Sequence, residues 1–251
     1  MTNRDQPSHP TILALDTSSK RASMAVSRGA RLVASLQGDA EEKRSERLWA
    51  EIDSLLRESV LTINDIDLFS VCTGPGAFTG LRVGIAAMKG FASANGKKIV
   101  GVTSLEAAAL CAAPAARVLA ALSANRGEVY SQLFGFDAEG VPVAEGASVV
   151  TTPDNALARV ASLDGLVFAG DWAVENASFI REFGQQTGWS VAEGNRLGAE
   201  CVAEIGLKKY FATGGENPEQ IRACYVRPAE AEIKLSQGVL GSKIKRLVMQ
   251  D

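Results

Sequence analysis

The sequence predicts an α/β protein of two similar lobes, and three observations carry that prediction. Through Ala112 the chain alternates short β-type runs with helical segments in the order βββαβαβα, and a shorter version of the same alternation follows Pro114. With 46% hydrophobic residues in 251, there is enough apolar material for two cores.

Taken in order, Thr11 to Thr17 is an apolar run ending on Asp16, the form of a buried strand that presents a carboxylate at its C-terminal end. Arg21 to Ser27 and Arg31 to Gln37 complete a three-strand meander, with Ser18-Ser19-Lys20 and Arg28-Gly29-Ala30 as its turns. From Glu41 to Val60, Leu48, Ile52, Leu55, Leu56 and Val60 recur at helical spacing with charges opposite, which predicts an amphipathic helix. Asp65 to Thr73 is the fourth strand. It leads through Gly74-Pro75-Gly76-Ala77-Phe78-Thr79-Gly80 into a helix from about Thr79 to Asn95, with Thr79 as its cap. Lys98 to Val102 is a fifth strand, and Ser104 is placed to cap a helix that reaches Cys111.

Beyond Pro114, the strand candidates are Arg117 to Ser123, Glu128 to Phe136, Val141 to Val150 and Leu166 to Ala169. Helices are predicted at Pro153 to Ala161, Ala173 to Thr187 and Ala199 to Phe211, the last stopped by Thr213-Gly214-Gly215. The resulting division is a disordered N-terminal tail over 1–10, a first lobe over 11–113, a second lobe over 114–234 and a C-terminal tail over 235–251.

Composition excludes several function classes. A formal charge of −3 and a pI near 5.4 leave no global basic field to pull the chain onto nucleic acid or an anionic membrane. Even the stretch Ala107 to Ala124 is broken by Pro114 and Arg117, so no membrane helix is predicted. Four scattered cysteines without a CxxC pair, and no secretory segment, read as reduced and cytoplasmic. His9 is the only histidine and sits in the N-terminal tail, which argues against a zinc or iron centre.

Three motifs bear on chemistry. The glycine-rich junction starts a helix, where unpaired N–H groups suit an anion; equally, its glycines let the backbone pass close to a neighbouring strand. In the helix that follows, Gly80, Gly84, Ala87, Gly90 or Phe91, and Ala94 form a face almost without side chains, which suits close packing on the first helix or on another subunit. Asp16-Thr17-Ser18-Ser19 either holds magnesium and phosphate or closes a hairpin as an Asx turn; Gly170-Asp171 is equally open. Ser45, Ser104 and Ser123 have no histidine to activate them, and Glu106 and Glu128 read as bases or as surface carboxylates, so no catalytic constellation emerges.

Together, ILALDTSS at Ile12 to Ser19, SERL at Ser45 to Leu48, GPGAFTGLRVG at Gly74 to Gly84 and GVTSLEA at Gly101 to Ala107 strongly resemble the TsaB family. GEVY at Gly127 to Tyr130 and YVRPAEAEIK at Tyr225 to Lys234 extend the resemblance over nearly the whole chain. It implies two lobes of the actin-like, RNase H-like ATPase (ASKHA) superfamily and a role in making threonylcarbamoyladenosine next to the anticodon of tRNA. The related catalytic family, TsaD, binds its metal through an HxxxH motif; Ser104 and Ala108 stand at those two positions here. A non-catalytic scaffold subunit is therefore implied, docking a TsaD-like subunit and through it a TsaE-like ATPase. ATP and metal are expected on the partners and tRNA contact is expected to be indirect; if the small-residue face is exposed when the partner is absent, a symmetric homodimer is expected, and the sequence leaves homodimer and heterodimer open.

The implied partner interface is Leu48, Ile52, Gly80, Gly84, Ala87 and Phe91, and the implied nucleotide or phosphate contacts are Asp16, Thr17, Ser18, Gly76 and Thr79. The alternative is an independent ATPase or sugar-kinase-like phosphotransferase using Asp16 and the glycine-rich turn. The chain departs from the family at Arg44, at Ser123-Ala124-Asn125 and at Trp172, which is expected to fill a cleft between the lobes.

Overall fold

The computed structural model describes residues 7–38, 44–192, 194 and 196–226. The first six residues of the expected N-terminal tail, residues 41–43 of the first predicted helix, and everything from 227 on, the C-terminal tail included, lie outside the described residues.

The first sheet forms from β1 (Thr11–Asp16), β2 (Ser23–Arg28) and β3 (Arg31–Gln37), followed after helix α1 (Arg44–Glu58) by β4 (Leu68–Gly74), and after α2 (Phe78–Ala94) by β5 (Lys98–Thr103). Its order is β3-β2-β1-β4-β5, antiparallel across β3, β2 and β1 and parallel across β1, β4 and β5. All six residues of β1 are buried because helices cover both faces of the sheet, which is why its sequence is a continuous apolar run and not an alternation. Helix α3 (Ser104–Cys111) follows β5 directly.

The second sheet is built from β6 (Val118–Ser123), β7 (Val129–Phe136), β8 (Pro142–Ala144) and β9 (Val149–Thr151), then α4 (Pro153–Ala158) and β10 (Val167–Ala169). After α5 (Asp171–Glu175) and α6 (Ala177–Phe183) come β11 (Ser190–Val191) and α7 (Gly198–Thr213). Read from β8, the order β8-β7-β6-β10-β11 repeats that of the first sheet: an antiparallel pair on one side, two parallel strands on the other. The two-lobed α/β architecture expected from the alternation is thus present.

Several local expectations differ. Val141 to Val150 is two short strands, parted by a turn in which Gly146 takes φ 116°. The helix expected from Ala173 to Thr187 breaks at Asn176 (φ −113°, ψ 25°), whose amide donates to the Trp172 carbonyl at 2.9 Å, so local side-chain bonding wins over helix continuity. Strand β11 is only two residues long and gave no period to detect. Thr103, not Ser104, caps α3: its hydroxyl accepts from Glu106 N at 3.1 Å, while Glu106 accepts from Thr103 N at 2.8 Å. Helix α2 begins at Phe78, with Ala77 at the cap position and no side-chain cap, and Thr79 is an exposed residue of its first turn.

The two lobes are joined by an exchange of helices. Helix α3 is apolar on every side, and both sides are used: Ala107 and Leu110 belong to the first core, while Leu105 and Ala109 pack with Val118, Phe134 and Ala169 of the second sheet. Helix α7, last in the stretch 114–234 by chain order, lies on the first sheet, where Ala199, Val202 and Ile205 join the core around β1 and β2. Gly206 of α7 faces β4; a Cβ there would overlap the Ser70 hydroxyl, which donates to the Val202 carbonyl at 2.8 Å.

Two helical glycines therefore have opposite meanings. Gly206→Ala is expected to destabilise the protein by about 1–3 kcal/mol through the forced overlap. At Gly90 no described residue lies within 4 Å of a Cβ, so Gly90→Ala should stabilise by up to about 1 kcal/mol. Urea denaturation midpoints of the two variants measure both signs.

Candidate functional site

Between the sheets lies a cavity of about 410 Å³, reached by the C-terminal ends of β1, β4 and β10. Its wall carries three carboxylates, Asp16, Asp171 and Glu175, together with Ser18, Gly76 and Ser104. Parallel strand ends are where α/β proteins place ligands, so the position itself is the expected one.

Each polar group is held by local geometry. Asp16 Oδ1 accepts from Ser18 N at 2.8 Å, closing an Asx turn. Its other oxygen sits where a Cβ on Gly198 would be, at the first residue of α7, whose positive dipole end favours the carboxylate. Asp171 Oδ1 accepts from Ser123 N at 2.9 Å and from Trp172 N at 2.8 Å, binding the end of β6 to the start of α5. Ser104 donates to the Pro75 carbonyl and ties the start of α3 to the glycine-rich junction. Glu106, besides its capping role, pairs with Lys209 of α7 at 2.9 Å.

In the junction, Gly74 takes φ 103°, and a Cβ on Gly76 or Gly80 would overlap the carbonyls of Ser18 and Thr17 respectively. Ala77 N donates to Ser18 O at 2.6 Å. The glycines thus admit the β1–β2 turn against the start of α2. Gly84 continues that contact, with the Thr17 hydroxyl in the space of its absent side chain. Thr17 is buried and its hydroxyl makes no hydrogen bond to another protein group.

The residues expected to share a site divide between cavity and core. Asp16, Ser18 and Gly76 line the cavity, as do Ser104 and Ala108; Thr17 points to α2 instead, and Thr79 is exposed. Of the expected interface, Leu48, Ile52, Gly84 and Ala87 are buried within the first lobe, and Gly80 and Phe91 are half-buried. The open side of α2 carries instead Arg82, Ala86, Gly90 and Ser93, beside Trp49 of α1, which is 52% exposed and stands edge-on to Phe91 at 5.2 Å. Trp172 packs into the second core with Leu119, Val129 and Ile180 and does not fill the cleft.

A second cleft, of about 640 Å³, opens between the β1–β2 turn, the start of α2 and the turn after β6. Arg126 lines it with a left-handed backbone (φ 67°), which the sequence did not signal. Among the described residues, no three His, Cys, Asp or Glu side chains are grouped to hold a metal ion, and no helix is long and apolar enough to cross a membrane.

The cysteines depart from the reduced reading. Cys111 of α3 and Cys201 of α7 are paired as a disulfide, brought together by the helix exchange, while Cys72 and Cys224 are free. Burial, reinforced by the Asp16 carboxylate, pushes the Cys72 thiol well above the usual thiol range, and burial also raises Cys224.

Comparison with known proteins places this arrangement among relatives. The family model "TsaD: tRNA N6-adenosine threonylcarbamoyltransferase" matches residues 38–184. The tRNA threonylcarbamoyladenosine biosynthesis protein TsaB of Escherichia coli is 28% identical over 231 residues, covering 89% of this chain and 97% of that one. A tRNA N6-adenosine threonylcarbamoyltransferase of Thermodesulfovibrio yellowstonii is 39% identical over 67 residues, 27% of this chain and 20% of that one. Among solved structures, YeaZ from Pseudomonas aeruginosa superposes with a TM-score of 0.72 at 27% identity, covering 86% of this chain and 99% of that one.

The Thr17–Gly84 contact is open to a double-mutant cycle. Gly84→Ala alone is expected to cost about 1–3 kcal/mol. In a Thr17→Ala background, which removes the overlapping hydroxyl, that cost should fall by about 1 kcal/mol or more. Additive thermal-denaturation values would remove the assigned contact.

Proposed function

The chain belongs to the TsaD family of the matching model and, within it, to the TsaB proteins, and on that premise we propose that it is a non-catalytic scaffold for threonylcarbamoyladenosine synthesis on tRNA. It docks a TsaD-like catalytic subunit on the face formed by α1 and α2, and a TsaE-like ATPase joins the assembled complex. ATP and metal act on the partner subunits, and the tRNA is reached through them. Without the partner, the same face pairs with a second copy of the chain.

The observation that carries this reading is the open side of α2. Among the described residues Gly90 has no neighbour to explain the absence of a side chain, although glycine inside a helix costs about 1 kcal/mol relative to alanine. With Ala86 and Ser93 it leaves a shallow strip beside exposed Trp49, an aromatic of the kind that anchors interfaces. The buried Leu48, Ile52, Gly84 and Ala87 hold the two helices in place beneath that strip.

A second reading, an independent ATPase or phosphotransferase, draws on the cavity beside Asp16, Ser18 and Gly76. Against it, Oδ1 of both Asp16 and Asp171 already accepts backbone N–H groups, and among the described residues no imidazole lines the cavity to act as a base. Any nucleotide contact by Asp16, Thr17, Ser18, Gly76 or Thr79 belongs to this second reading.

Gly90→Trp should fold with unchanged cooperativity yet lower affinity for the TsaD-like subunit by about tenfold or more, read by calorimetric titration. Wild-type affinity in that variant would refute the docking face. Magnesium-dependent nucleotide hydrolysis by the isolated chain, abolished by Asp16→Asn, would decide for the second reading.

A further inference from the structure

The chain passes between the lobes at two places, leaving α3 for β6 and leaving β11 for α7. Cys111 is the last residue of α3, immediately before the first passage, and Cys201 lies in the first turn of α7, just after the second. Their Cα atoms are 6.4 Å apart, within the span of a disulfide, at a sequence separation of 90. Every strand of the second sheet falls between them, so the bond closes a covalent ring around that lobe and pins the two exchanged helices where they cross.

The two sulfurs differ in access. Cys111 is half-buried and lines the cavity between the lobes, whereas Cys201 is fully buried. A small disulfide entering the cavity meets Cys111 first, and Cys201 is already beside it. The remaining thiols are poor competitors, because Cys72 is fully buried and burial raises the titration of both Cys72 and Cys224.

We propose that Cys111 and Cys201 form a reversible thiol-oxidation site, Cys111 as the entry thiol and Cys201 as the resolving one, and that the bond between them locks the setting of the lobes. The Cys111 thiolate attacks a low-molecular-weight disulfide such as oxidised glutathione, forming a mixed disulfide and releasing one glutathione thiolate. The Cys201 thiolate then attacks the Cys111 sulfur, forming the internal bond and releasing the second. The two protein sulfurs lose two electrons, the oxidant's two sulfurs gain them, and the two cysteine protons leave on two molecules of reduced glutathione. Reduction runs the same steps in reverse.

The full chain is equilibrated in buffers of varied reduced to oxidised glutathione ratio, quenched in acid, alkylated and mapped by mass spectrometry. Cys111 and Cys201 should be protected together and recovered as one linked peptide pair, with Cys72 and Cys224 alkylated after unfolding at every ratio. Trypsin cleavage after Arg117 and Arg196, which flank the two passages, should be slower in the oxidised protein by roughly tenfold. In Cys111→Ser the cleavage rate should not respond to the ratio, and Cys201→Ala should stop at the mixed disulfide on Cys111. Four alkylated thiols at every ratio, a link that survives the most reducing buffer, or equal cleavage of oxidised and reduced wild type would each overturn the proposal.

Discussion

The structure depends on one packing constraint: the helix that ends each repeat of the fold crosses to the other repeat. Helix α3 cannot be solvated on any side, since its eight residues after the Thr103 cap are apolar apart from Ser104 and Glu106. Ser104 donates to Pro75 O and Glu106 is spent on the cap and on Lys209. Only a position between two cores satisfies such a helix. Helix α7 answers it from the other direction, supplying the cover that the first sheet lacks on the face opposite α1 and α2.

From that exchange follows the geometry of the cleft. Asp16 can lie against the start of α7 only because α7 returns to the first sheet, and Gly198 leaves room for the carboxylate. The junction from Gly74 to Gly80 holds the opposite wall, its glycines pressed against the carbonyls of Thr17 and Ser18. What began in the sequence as an anion loop or a tight turn is built as the turn. Its role is to bring α2 close to β1, and the outward side of α2 is thereby fixed as a rigid surface.

Much of this was legible in the chain, and the limits have physical reasons. The continuous apolar run of β1 and the spacing of Leu48, Ile52, Leu55 and Leu56 announce their elements because each depends on a local period. Asn176 broke a predicted helix because its side chain competes for a carbonyl, and Thr103 displaced Ser104 as cap because only Thr103 stands three residues before Glu106. The pairing of Cys111 with Cys201, the burial of Trp172 in the second core and the meeting of Asp16 with Gly198 are long-range consequences of topology. No local pattern encodes them. The small-residue face of α2 was visible, but which of its glycines faced inward was not: Gly80 and Gly84 meet Thr17, and Gly90 meets none of the described residues.

The crossing of the helices also fixes an order of events during synthesis. The five strands of the first sheet are complete at Thr103, yet the helix that covers one face of them ends at Thr213. A nascent chain emerging from the ribosome therefore carries an uncovered β1–β2 face while the whole second lobe is translated. Contacts of such long sequence separation form late and leave apolar surface open to chaperones in the meantime. The first lobe, though first in the sequence, is the last to be closed.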